Sequence, residues 1–188
     1  MNQLEQAIIF AVRAHEGAYR KTGNIPFIMH PLEVAAIAST LTDDLDILAA
    51  CVLHDVVEDT DITIEEIVLN FGERIGQFVA DETEDKRRGI DPRKTWELRK
   101  QESLRFLQNT NERAVKIMWL SDKLANMRSF YRLYREEGPA LWKRFHQSDP
   151  KKQEWYYRSV VEYIEELNDT EAYQEYVDLL DRVFKSDE

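Results

Sequence analysis

Among its 188 residues the chain carries one cysteine, six glycines and five prolines, and 25 basic side chains against 36 acidic ones. Each shortage excludes something. The lone Cys51 cannot build a disulfide framework or a cysteine-rich zinc site, and it fits a reducing compartment. So little glycine and proline argues against a turn-rich β fold and for long helices. A net charge of −11 removes the basic face that a nucleic-acid polymer requires, so any small anionic ligand needs local, focused cations. No stretch approaches the roughly 20 apolar residues of a membrane span. The first twelve residues lack the basic start and long apolar core of a secretory signal. These absences predict a soluble, cytoplasmic chain with no membrane or nucleic-acid polymer as partner, and leave its oligomeric state open.

What is present is helical periodicity. Leu4, Ala7, Ile8, Ala11, Val12 and His15 share one helical face, and Gly17 with the Lys21–Pro26 stretch ends that helix. Pro31 suits a helix first turn, and helix continues from Leu32 to Leu41. Asp43-Asp44 can cap a helix running through the apolar segment Ile47–Val57. Thr63-Ile64-Glu65-Glu66 reads as a capping box for a helix ending near Phe71-Gly72, and Glu73–Thr83 forms another. The charged Glu84–Lys94 stretch lacks periodicity and is the candidate mobile loop. Helices resume over Thr95–Gln108 and Asn111–Glu137, where Gly138-Pro139 stops the run. Two more cover Pro150–Leu167 and Thr170–Phe184. With no strand or hairpin signal and no sustained heptad, the expectation is an all-α globular bundle, one domain over 1–188.

The most informative feature is His54-Asp55 at the end of an apolar run, with Glu58-Asp59 about one turn on. Adjacent imidazole and carboxylate can ligate one divalent ion if the helix end lets them converge. His30, beside Pro31, and Asp122, in a helical segment, can complete a mixed nitrogen–oxygen site for manganese, iron or another first-row divalent ion. Taken singly these residues have ordinary readings. A histidine at a helix start is more often a cap or core group. Asp122 can pair with Lys123 or Arg128, and Glu58-Asp59 can be a solvated helix end.

The strings Ala14-His15-Glu16-Gly17, Arg20-Lys21-Thr22-Gly23, Pro26-Phe27-Ile28-Met29-His30-Pro31, Leu53 to Thr60, Phe71-Gly72 and Asp122 to Arg128 occur in one order. On them the chain resembles the hydrolase domain of the RelA/SpoT family, in the HD phosphohydrolase superfamily, and its small stand-alone alarmone hydrolases above all. The resemblance implies an HD-domain bundle with manganese held by His30, His54, Asp55 and Asp122. It implies that Glu58 and Asp59 orient or deprotonate the attacking water, as carboxylates beside such an ion can. It also implies substrate contacts from Arg20, Lys21, Lys123 and Asn126. Asn126 shares a helical face with Asp122, whereas Lys123 on a regular helix points elsewhere. The chain departs from the family pattern at Ala18 for Gln, Phe27 for Tyr, Trp119 for a frequent Lys and Ser121 for Ala.

The resemblance implies hydrolysis of guanosine 3′,5′-bis(diphosphate) (ppGpp, or pppGpp) to GDP (or GTP) and pyrophosphate. A chain of this length leaves no room for the synthetase and regulatory domains of the long members. Trp119 and Ala18 favour an alternative: the same centre acting on another phosphorylated nucleotide or dinucleotide cofactor. A non-catalytic nucleotide sensor is the third reading. Arg87, Arg88, Arg93, Lys94, Arg99 and Lys100 read as a solvated charged cluster. Trp155, Tyr156 and Tyr157 read as packing residues, one of which could lie over a pocket.

Overall fold

A computed structural model describes residues 1–21 and 23–184; Thr22, within the Arg20–Gly23 string, and 185–188 lie outside the described residues. The regular elements among the described residues are all helices, with α1 Gln3–Ala14, α2 Met29–Ala38, α3 Leu45–Leu53, α4 Val56–Asp59, α5 Ile64–Phe71 and α6 Glu73–Glu82 in the first half. The second half holds α7 Pro92–Asn109, α8 Arg113–Glu137, α9 Pro150–Tyr163 and α10 Glu171–Val183, with 3₁₀ turns at Gly138–Arg144 and Glu165–Leu167. The all-α expectation holds. The one β-type pairing among the described residues is an isolated bridge from Tyr19 to Pro26, which closes the loop between α1 and α2.

Two helices organise the core. Every residue of α3 from Ile47 to Leu53 is buried, because α3 packs against α1, α2, α6 and α8 and presents no face to water. Helix α8 is the longer axis, flanked by α2, α6, α9 and α10. Its buried positions run almost without interruption from Val115 to Met127, so even Asp122 and Lys123 lie inside. Glycine ends it: Gly138 adopts φ of 59°, and Pro139 follows.

Sequence and structure differ where helices end. The segment read as one helix from Ile47 to Val57 is broken: α3 stops at Leu53 and α4 starts at Val56. Asp55 sits at φ −92° and ψ −5°, the sparsely populated bridge region. Apolar periodicity does not report such a break, because both helices bury their ends. Likewise α9 stops at Tyr163 and becomes a 3₁₀ turn before Leu167, and α7 starts at Pro92 with Asp91 as its cap.

The α5–α6 hairpin turns on Gly72 and closes on Gly76. A β-carbon on Gly76 would lie 2.3 Å from Val68 Cγ2. Alanine normally gains about 1 kcal/mol over glycine inside a helix, whereas overpacking costs ~1–3 kcal/mol. Val68 is stiff at χ1 and cannot step aside cheaply. We therefore expect Gly76→Ala to destabilise the fold in urea denaturation, and Val68→Ala added to it to recover most of the loss. Stabilisation by Gly76→Ala alone would show that the helices do not meet there.

Candidate active site

The break after α3 points His54 and Asp55 into the same space. His54 closes α3 and Asp55 precedes α4. From across that space α2 contributes His30 in its first turn, and α8 contributes Asp122 from its buried middle. His30 Nε2 lies 3.0 Å from Asp122 Oδ1 and 3.5 Å from Asp55 Oδ2. His54 Nε2 lies 3.1 Å from Asp55 Oδ2 and 3.6 Å from Asp122 Oδ1. His30, His54 and Asp122 are buried, and each offers a ligand atom within 4.8 Å of the others.

This packing suits a cation. His54 Nδ1 donates to the Cys51 carbonyl at 2.8 Å, which leaves the lone pair on Nε2 facing the carboxylates. Nε2 is buried and has no hydrogen-bond partner among the described residues. Two carboxylates and the Nε2 atoms of two imidazoles would otherwise face one another with no cation between them. Donors around one ion at ~2.1 Å sit about 3.0–3.4 Å from each other, close to the spacing seen. The set is nitrogen and oxygen without thiolate, which suits a first-row divalent ion.

Two neighbours steady Asp122. Lys123 Nζ bonds its Oδ2, and Asn126 Nδ2 donates to its Oδ1 at 2.9 Å. Arg20 Nη2 in turn donates to Asn126 Oδ1 at 3.1 Å, so the loop after α1 is tied to the centre through one amide. Burial disfavours the Asp122 charge, but Lys123 and the two histidines hold its pKa well below the usual carboxylate range. Arg128, the alternative partner read from sequence, bonds Glu175 and Glu33 instead. Lys123 does not point away as a regular helix implied. Its flexible stem brings the ammonium back over the Trp119 ring at 4.5 Å and onto Asp122.

The centre opens into a cleft of about 860 Å³, lined among others by Lys21, Glu58, Asp59, Lys86, Lys100, Lys123, Asn126 and Tyr156. A smaller lobe of about 300 Å³ continues past Arg20, Arg99, Phe145 and Gln153. Glu58 and Asp59, on α4, stand at the mouth of the centre. Burial and the Asp55 charge push the Glu58 carboxyl above its ordinary pKa. All ten residues singled out in the sequence thus fall on one cleft or tie directly to its wall: His30, His54, Asp55, Asp122, Glu58, Asp59, Lys21, Lys123 and Asn126 line the larger lobe, and Arg20 lines the smaller one.

Other groups were not legible. Glu82, at the end of α6, faces the cleft with Oε1 buried and unpaired among the described residues. Burial, opposed by Lys123, pushes its pKa to about 8. Lys86 sits in the charged loop yet reaches Glu58 and Asp59. Arg99 and Lys100, read as part of a solvated cluster, are turned inward on α7. They bond Glu84 at 2.7 Å and 2.6 Å, which drives that carboxyl down to about 2 against the effect of burial. Arg93 and Arg87 keep surface pairings with Asp91 and Glu102, as a solvated cluster implies. Tyr156 and Tyr157 are buried against the cleft, whereas Trp155 is exposed. One acid, Glu84, pairs both inward basic residues, and sequence spacing does not reveal it.

Residues 7–147 match the profile of the HD domain family (HD_4). The chain is 35% identical over 133 residues to the human guanosine-3′,5′-bis(diphosphate) 3′-pyrophosphohydrolase MESH1, covering 69% of this chain and 70% of that one. It is 35% identical over 135 residues to the Aquifex aeolicus protein of the same activity name, covering 72% of this chain. It spans only 18% of the Aquifex protein and 11–16% of the other long relatives that it matches. Among solved structures, a metazoan orthologue of SpoT superposes with a TM-score of 0.75 at 23% identity, over 97% of this chain and 95% of that one. A Listeria monocytogenes protein superposes with a TM-score of 0.71 at 29% identity, over 84% of this chain and 94% of that one. The profile match runs through α2, the α3–α4 break and the middle of α8, the three places that bring His30, His54-Asp55 and Asp122 together, and the chain belongs to the HD domain family.

Proposed function

We propose that this chain is a metal-dependent phosphohydrolase that removes pyrophosphate from the 3′ position of ppGpp, leaving GDP, or GTP from pppGpp. The observation that carries the reading is the convergence of four donor atoms beside a carboxylate pair at the base of a cation-lined cleft. The activity names of MESH1 and the Aquifex relative support the choice of substrate.

His30, His54, Asp55 and Asp122 would hold the ion, for which manganese is the proposed metal. A divalent ion bound there lowers the pKa of water and offsets charge building on the phosphoryl oxygens. The chain's own residues do the rest. Glu58 and Asp59 are the acceptors for the proton of the attacking water, and burial beside Asp55, which raises the Glu58 pKa, strengthens Glu58 as a base. The water oxygen bonds to the phosphorus on the ribose 3′-oxygen. The bond from that phosphorus to the 3′-oxygen breaks, and the 3′-oxygen leaves as a hydroxyl, taking the proton that Glu58 or Asp59 received from the water. Lys21, Lys100 and Lys123 face the phosphates. Arg20 offers a planar guanidinium to phosphate or purine, and already lies 5.7 Å over the Phe27 ring.

A second substrate remains in play because of the Trp119 wall. Its indole Nε1 is buried without a partner among the described residues, where the family pattern carries a frequent lysine. Lys123 returns a positive charge to that wall, so a phosphate can still be met there.

Three outcomes follow. A panel of nucleotides incubated with manganese should give pyrophosphate from ppGpp as the main product by ion-exchange chromatography; robust turnover of a different nucleotide with none from ppGpp would replace the substrate. Asp55→Ala should lower kcat/KM by roughly a thousandfold, and metal content after dialysis should fall with it. Full hydrolysis by that variant in excess metal would mean that the centre lies elsewhere. Asn126→Ala should weaken metal affinity by about 10–100-fold through the loss of its bond to Asp122, read by competition with a fluorescent chelator; unchanged affinity would confine Asn126 to substrate contact.

A further inference from the structure

The segment joining α6 to α7 lies across the C-terminal end of α4. The Glu84 N–H donates to Glu58 Oε2 at 3.3 Å, and Arg88 Nη2 donates to the Thr60 carbonyl at 2.7 Å. Between those anchors Lys86 Nζ lies 3.2 Å from Glu58 Oε1 and bonds Asp59 Oδ1. Arg87, next to it, takes φ of 48°, a left-handed conformation uncommon outside glycine, and its guanidinium is fixed by Glu102. Glu84 is locked from the other side by Arg99, Lys100 and Ser103. The backbone is thus tied down on both sides of Lys86, and its ammonium rests on the two acids assigned to the attacking water.

An ammonium on that pair occupies the lone pairs that would take a proton. Lys86 also borders both lobes of the cleft, where phosphates would lie. Its side chain is 36% exposed, and an ion pair this open to water is weak. Its four-carbon stem swings without moving the backbone. A doubly charged terminal phosphate competes well for the ammonium; a singly charged phosphodiester competes poorly.

We propose that Lys86 is a specificity-determining positioning residue: it masks Glu58 and Asp59 in the free protein, and a polyphosphate substrate draws it off and so frees the acids. This rests on the phosphohydrolase reading of the site. The link is tested first by binding alone, titrating magnesium pyrophosphate into the metal-loaded protein by calorimetry. Lys86→Met should bind about tenfold more weakly, as loss of one charge-assisted contact implies. Asp59→Asn should bind several-fold more tightly, because Lys86 is then held by Glu58 alone, and that gain should vanish when both changes are combined. A gain that persists without Lys86 would overturn the proposal.

Kinetics supply the second arm. Lys86→Met should raise KM for ppGpp by about tenfold with little loss of kcat, and should speed hydrolysis of bis(p-nitrophenyl) phosphate, which cannot draw the lysine away. Lys86→Arg should restore the ppGpp KM. A parallel fall of both activities would instead mark Lys86 as a structural tie. If no substrate is turned over by the unaltered protein, the phosphohydrolase reading fails, while the binding arm still decides the masking.

Discussion

The fold is arranged around a charge problem. Asp55, Asp122, Glu58 and Asp59 crowd one end of a cleft, and two of their neighbours are histidines whose Nε2 atoms face Asp55 and Asp122. Carboxylates this close repel strongly where water is scarce. Something positive must sit among them. The structure supplies Lys123 on Asp122 and Lys86 on Glu58 and Asp59. That leaves Asp55, His30, His54 and one oxygen of Asp122 around a common point, which is where the proposed ion belongs. Burial has a further consequence at Glu82, whose carboxyl pKa it raises beside the same centre.

The rest of the molecule makes this crowding tolerable by fixing its members from separate elements. Helix α3 is buried on every side, so His54 cannot drift without unpacking the core. The Cys51 carbonyl sets the orientation of its ring. Helix α8 carries Asp122, Lys123 and Asn126 on a buried stretch, and Arg20 reaches Asn126 from the loop after α1. A site held by helix interiors is more rigid than one held by loops. The mobile contribution comes from the long cations around it, whose stems can adjust while their backbones stay in place.

Most helix positions were legible because apolar spacing and caps report them directly: Thr63 forms the capping box that its local sequence favours. The residues of the centre were legible as a set of types in order. Their convergence was not, because it depends on the break at His54-Asp55, which apolar periodicity hides. Lys123 was misread for a related reason: spacing gives the direction of a Cβ, not the reach of a long side chain. Arg99 and Lys100 looked solvated because charge clusters usually are, and only the fold brings Glu84 against them. Glu82 carried no sequence signal, since its neighbours in space come from α3 and α8.

The central claim is that one divalent ion joins His30, His54, Asp55 and Asp122. Crystals grown with manganese and measured at the manganese absorption edge test it most directly. The account predicts one strong anomalous peak at the point shared by those four side chains, with Lys86 still on Glu58 and Asp59. No peak there, or a peak ligated by Glu58 and Asp59 instead, would contradict it.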